Sequence, residues 1–258
     1  MRLGKVGICF SPAGLLFPYY VGAGYELQRL GILQPQTPLG GSSAGAIVAA
    51  CLSCGVPEET VRLGLARLVD DVRAGTRLNV ALRKQLETFM NDDSPALAAK
   101  HGLTLGYFEV LPRPGPRLVR AWADRDDLID CICASSNWPL FFSRWPFVRC
   151  RGAWCLDGFF SVPRSRFGCP VLSEGVTRTL AVTALPKVSL SAFLDEDIIQ
   201  PGRAGYAPAL PVDDSKWFNW ALTPAPDEQL DAMVELGRQH ARVWAARERE
   251  SWSPATLI

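Results

Sequence analysis

The feature that most limits how this chain can fold is a serine set among glycines, Gly41-Ser42-Ser43-Ala44-Gly45. It lies between a short apolar strand, Pro38–Gly41, and an apolar helix, Ala44–Cys54. Glycines on both sides of Ser43 allow a turn so tight that a Cβ would block it, which is the G-x-S-x-G pattern of a nucleophile elbow. Such a turn lifts the Ser43 hydroxyl out of the sheet edge. It also puts that hydroxyl at a helix N-terminus, where the peptide dipoles favour a developing negative charge. The same five residues would equally make a plain strand-to-helix turn, so their surroundings decide.

Those surroundings alternate strand and helix. A strand is expected over Lys5–Ser11, then the loop Ser11-Pro12-Ala13-Gly14 and a helix from Pro18 to Leu30 that Gly31 closes. A helix runs from Pro57 to about Ala74, and strands Leu103–Leu111 and Arg117–Ala123 are joined by the turn Pro112–Pro116. Asp126 and Asp127 fall in the first turn of a helix from Asp124 to Ser135. Further along come a short strand at Trp154–Leu156, a strand at Arg178–Thr183, a Pro- and Gly-rich loop at Pro201–Pro211 and a long helix at Asp227–Glu248. This order predicts an α/β fold, a three-layer αβα arrangement around a mainly parallel central sheet. At 258 residues one domain, 1–258, is expected.

Composition excludes several alternatives. Apolar residues make up 48% and charged residues 21%, which argues against a disordered tail or a fibre. The net charge is +1, so no global field holds nucleic acid, and no nucleic-acid partner is expected. The longest apolar run, Ala44 to Val56, falls short of the ~20 residues of a spanning helix. The first ten residues show no signal-peptide pattern, and the eight cysteines are read as mostly reduced and buried, pointing to a cytoplasmic protein. Cys51 and Cys54 form a C-x-x-C pair, but with only His101 and His240 to complete a ligand set no metal site is expected.

A nucleophilic serine needs a base. His240 sits inside the periodic helix Leu230–Arg247 and His101 at a helix end, positions that suit structural histidines better than a loop-borne general base. The other candidate is Asp157, in Trp154-Cys155-Leu156-Asp157-Gly158-Phe159-Phe160. A carboxyl with an ordinary pKa of ~3.9 is a feeble base, but apolar neighbours raise it by desolvation. An Asp-Gly turn without chemistry has the same sequence. The loop after the first strand can aim backbone N–H groups at an oxyanion; Pro12 has none, so the donors would be Ala13 or Gly14, joined by Ala44.

Taken together, these pieces resemble the patatin-like phospholipase family. That family has a Gly-rich oxyanion loop after the first strand, a G-x-S-x-G elbow and an Asp-Gly motif forming a Ser–Asp dyad without histidine. The matching segments here are Ser11–Phe17, Gly41–Gly45 with nucleophile Ser43, and Asp157-Gly158. The resemblance extends toward the adiponutrin and adipose triglyceride lipase branch through Gly14–Gly22, Asp126–Pro139 and Glu235-Leu236-Gly237 with Ala241. The family usually has Gly where this chain has Pro12 and Phe17, and Gly or Ala where it has Phe159.

The resemblance implies a lipid acyl-ester hydrolase acting through an acyl-enzyme, with no cofactor. Its alternatives are a catalytically weak or inactive lipid-binding or scaffold protein, and a transacylase. A lipid or other acyl ester is the expected partner, with peripheral contact to a membrane or lipid-droplet surface. The aromatic stretch Trp138–Phe147 reads either as an acyl channel and interfacial contact or as packed core, and so does the cluster Trp217, Phe218 and Trp220.

Overall fold

The computed structural model describes residues 5–248. Residues 1–4, which belong to the N-terminal stretch without a signal pattern, lie outside it. In chain order the elements are β1 (Lys5–Phe10), α1 (Phe17–Arg29), β2 (Leu39–Gly41), α2 (Ala44–Ser53), α3 (Glu58–Arg73), α4 (Leu78–Phe89) and α5 (Ser94–Lys100). Next come β3 (Thr104–Leu111), β4 (Gly115–Val119), α6 (Arg125–Ser135), β5 (Val148–Cys150), β6 (Ala153–Leu156), β7 (Val176–Val182), β8 (Ile198–Ile199), α7 (Asp214–Leu222) and α8 (Asp227–Glu248).

Residues alternate in β1 so that one strand serves two faces. Ile8 and Phe10 enter the main core beneath the helices, while Cys9 enters a smaller cluster with Ala181, Ile198, Cys169, Leu172 and Leu190. A strand buried on both faces is the central strand of a parallel sheet. Accordingly β1 lies between β2 (Phe10 opposite Gly41) and β7 (Phe10 opposite Val182), both parallel to it. The parallel set extends to β8 beside β7 and β3 beside β2. Beyond it, β4, β6 and β5 add antiparallel pairs. The chain is therefore mixed α/β, with a mainly parallel sheet flanked by helices.

Two features of this topology make the site. The strand order β3-β2-β1-β7-β8 places the chain's change of direction between β1 and β7, and ligands of open parallel sheets bind beyond the carboxyl ends of the strands at such a point. The second feature is the edge of β3. There β2 runs parallel and ends with Gly41 opposite Leu105, while β6 runs antiparallel and ends with Leu156 opposite Phe108. The two strands thus run toward each other and stop on either side of Gly106 and Tyr107. The residues just past their ends, Ser42-Ser43 after β2 and Asp157-Gly158 after β6, are delivered to the same gap.

The sequence reading placed most of these elements but not α4, α7, β5 or β8, and of α5 it placed only the end at His101. Helix α7 begins with Asp213 capping the Lys216 N–H at 2.9 Å. It buries Trp217 and Trp220, whereas Phe218 stays exposed. Among the described residues, no helix is long and apolar enough to cross a membrane. All eight cysteines are free thiols, buried except for the half-buried Cys54.

Candidate active site

Ser43 stands just before α2 with φ 56 and ψ −130, a backbone conformation that a residue with a Cβ adopts only under strain. Close packing holds it there. A Cβ on Gly41 would meet the Gly45 backbone, and one on Gly45 would meet the Phe10 carbonyl, so the elbow closes on itself and against β1. The Ser43 N–H donates to Ser135 at the end of α6, both to its carbonyl at 3.0 Å and to its Oγ at 3.1 Å.

Asp157 is fully buried. Its backbone N–H donates to the Asn137 carbonyl at 3.0 Å, and its Oδ1 accepts from the Phe159 N–H at 2.8 Å. The segment Ser135–Asn137 therefore holds both halves of the site, Ser43 through Ser135 and Asp157 through Asn137. Asn137 is itself fixed by donating to the Pro146 carbonyl at 3.0 Å and accepting from Ser143 Oγ at 3.2 Å. Burial pushes the Asp157 carboxyl up to about 7, while the Phe159 amide and the Ser43 hydroxyl pull it down. The Ser43 hydroxyl is one of the groups that favour the charged carboxylate, while Oδ2 is buried without a hydrogen-bond partner. Catalytic hydrogen bonds are commonly long or misaligned before substrate binds.

Gly158 shows how tightly the two strand ends meet. A Cβ there would press on the Gly106 carbonyl and come within 2.6 Å of Ser42 Cβ. Gly158→Ala is expected to lose about 1–3 kcal/mol of stability, read as a denaturant midpoint shift at constant m. An unchanged midpoint would show that the gap between the strands has room for a methyl group.

The loop after β1 forms the opposite wall. Ser11 Oγ contacts Tyr20 Oη at 2.9 Å and donates to Thr183 Oγ1 at 3.0 Å, which ties the loop to the end of β7. Gly14 has φ 56, and a Cβ there would strike the Ala221 carbonyl of α7, so only glycine fits. Ala13, Gly14 and Ala44 line one cavity with Ser43. Their N–H groups have no protein acceptor among the described residues.

That cavity has a volume of about 330 Å³. Its walls are apolar, with Leu15 from the first loop, Phe17 from the start of α1, Leu82 from α4, Phe159, and Phe218 and Leu222 from α7. Of the aromatic stretch, Trp138, Phe141 and Phe142 line the cavity, Phe142 also belongs to the main core, and Leu140 and Trp145 stand 67% and 72% exposed. Phe159 packs edge-on against Trp138 with ring centroids 5.6 Å apart.

His240 is occupied elsewhere. Its Nε2 faces the Pro208 carbonyl at 2.9 Å and must carry the proton, which leaves Nδ1 to accept from the Tyr19 hydroxyl at 2.8 Å. Burial lowers its pKa. His101 Nδ1 contacts the Ser53 carbonyl at 2.5 Å, at the end of α5.

The site thus gathers Ser43, Asp157, Ala13, Gly14 and Ala44, with Gly41, Gly45 and Gly158 where the packing is closest. Sequence reasoning missed Ser135, Ser136 and Asn137. Two of them act mainly through backbone atoms, which leave no mark on residue type.

Fold and site together define an α/β protein with a strained serine elbow at the carboxyl edge of a parallel sheet. The model of the patatin-like phospholipase family matches residues 8–165, which takes in the loop after β1, the elbow and Asp157-Gly158; the chain belongs to this family, which consists generally of lipid acyl hydrolases. No curated protein matches the chain. Among solved structures, the crystal structure of VipD from Legionella pneumophila is similar with a TM-score of 0.48 and 12% identity, covering 94% of this chain and 67% of that one.

Proposed function

We propose that this protein is a lipid acyl-ester hydrolase using a Ser43–Asp157 dyad, with the whole site carried by one domain. The observation that carries the reading is a strained serine at the wall of an apolar cavity, beside a buried carboxyl whose pKa has risen to about 7. Ser43 Oγ attacks the ester carbonyl carbon as its proton passes to Asp157. The oxyanion accepts from the N–H groups of Ala44 and of Ala13 or Gly14. Collapse breaks the bond to the alcohol oxygen, which leaves with the proton from Asp157. Water then attacks the acyl carbon and gives a proton to Asp157, and collapse breaks the bond to Ser43 Oγ, which takes that proton back as the acid leaves. Transacylation differs only in the second acceptor, an alcohol in place of water. This chemistry calls for no cofactor.

The test is covalent. A fluorophosphonate probe with mass-spectrometric mapping should modify Ser43 alone, and a label elsewhere, or none, refutes the assignment. Vesicle binding without labelling or turnover would instead support the non-catalytic lipid-binding reading. The nearer likeness to the adiponutrin and adipose triglyceride lipase branch rests on Gly14–Gly22 and on the helix leading to Pro139.

The lipid surface meets the cavity at its aromatic rim. Leu140, held at φ 63, and Trp145 are exposed beside residues that line the cavity, and Arg144 is exposed between them. Such a mixture sits comfortably at a bilayer interface. The double variant Leu140→Ala, Trp145→Ala is expected to bind phosphatidylcholine vesicles at least about tenfold more weakly while hydrolysing a short soluble ester at the wild-type rate. Equal vesicle binding would remove this face from the membrane contact.

A further inference from the structure

One residue of the cavity wall carries a hydroxyl with nothing to bond. Ser136, the first residue past α6, is 5% exposed and lines the cavity together with Ser43. Its backbone N–H is engaged, donating to the carbonyls of Ile132 at 3.0 Å and Cys133 at 3.2 Å. Its Oγ is buried and has no hydrogen-bond partner. Of the buried side-chain atoms without a partner among the described residues, it alone belongs to a residue lining the cavity. Leaving such a group unbonded is unfavourable, and an isolated polar group in an apolar pocket commonly serves to orient a ligand.

The reacting ester offers few partners. Its acyl chain has no polar atom. Its carbonyl oxygen is assigned to the backbone donors at Ala44 and at Ala13 or Gly14, which come from α2 and from the loop after β1. Ser136 comes from a third element, next to the Ser135 groups that hold the Ser43 N–H. One oxygen remains, the bridging oxygen between acyl carbon and alcohol.

We propose that the Ser136 hydroxyl, turned toward the cavity about its Cα–Cβ bond, donates a hydrogen bond to that bridging oxygen, which makes it a further catalytic residue. The proposal rests on the reading of Ser43 as nucleophile. When the acyl–oxygen bond breaks, its electron pair stays on the bridging oxygen. Asp157 supplies the proton to that oxygen, and Ser136 keeps its own proton while stabilising the charge as it develops. In deacylation the oxygen of the attacking water takes the same place, in the reverse sense.

Comparing oxygen with sulfur at the bridging position tests this. A thioester presents a sulfur there, a weak acceptor. With ethyl hexanoate and S-ethyl thiohexanoate as substrates, Ser136→Ala is expected to lower kcat/KM about 10- to 100-fold for the oxoester and less than about threefold for the thioester. Its Tm should equal or exceed that of the wild type, because the hydroxyl removed bonds to no protein group. Parallel losses on both substrates, or an unchanged oxoester rate, overturn the proposal, and a lowered Tm with parallel losses assigns Ser136 a structural role. Fluorophosphonate mapping separates the two levels. Ser43 labelled with parallel losses defeats only the role of Ser136, whereas Ser43 unlabelled, or no turnover by the wild-type protein, defeats the underlying reading as well.

Discussion

Ser43→Ala is expected to lower ester hydrolysis by about 10⁴-fold or more and to abolish fluorophosphonate labelling, with the fold intact. The size of the loss comes from the proposed chemistry, since without Oγ no acyl-enzyme forms and only the oxyanion donors and the cavity remain. The backbone at φ 56 provides a control. Ser43→Gly also lacks the nucleophile but removes the strain of a Cβ at that φ, so its Tm should exceed that of Ser43→Ala by a few degrees. Both variants inactive, with glycine the more stable, separates the strain of the elbow from the chemistry of its hydroxyl. Substantial activity in either variant would reassign the nucleophile.

Asp157→Asn is the second large effect, and it acts on rate and stability in opposite directions. Asn cannot take the Ser43 proton, so kcat/KM should fall about 10³-fold or more. In the wild type, kcat/KM should rise as Asp157 ionises, with an inflection near its folded-state pKa of about 7 and a plateau above it. The sign for stability is the reverse. The folded-state pKa lies above the ~3.9 of an unfolded Asp, so folding holds the proton more tightly. That contribution is fully present below pH ~4 and is lost as the pH rises through 7. At pH 8 the buried charge costs on the order of 4 kcal/mol, which Asn avoids. Asp157→Asn should therefore melt roughly 5–10 °C above wild type at pH 8, with the gap narrowing as the pH falls toward 5. A variant that is less stable at pH 8 would mean that a second donor, beyond the Phe159 N–H, pairs the carboxylate at Oδ2.

Much of this site was legible in the sequence because its signals are local. Gly41, Ser43 and Gly45 lie within five residues, and each glycine is needed where backbone meets backbone. Asp157-Gly158 was legible for the same reason, and Gly14 was legible as a point of close approach, although the partner in that approach, Ala221 of α7, was not. Helix α7 escaped because it is nine residues long and its aromatics serve two environments, Trp217 in the core and Phe218 at the cavity. The Ser135–Asn137 clamp escaped because Ser43 and Asp157 are gripped chiefly through main-chain carbonyls, and almost any residue presents a carbonyl. The raised pKa of Asp157 was foreseen in direction from its apolar neighbours.

The meeting of β2 and β6 along one edge of β3 has a consequence for how such a protein can be altered. The separation between Ser43 and Asp157 is set by the hydrogen-bond ladder of β3, whose steps are about 3.3 Å and reverse the facing of every side chain. It can change only in whole steps that would bury the wrong residues. The excursion beyond α2, from Cys54 to Leu103, does not enter that alignment. Lengthening or trimming the surface turns within it should redraw the pocket while the reacting pair keeps its spacing, which makes this excursion the place to retune selectivity.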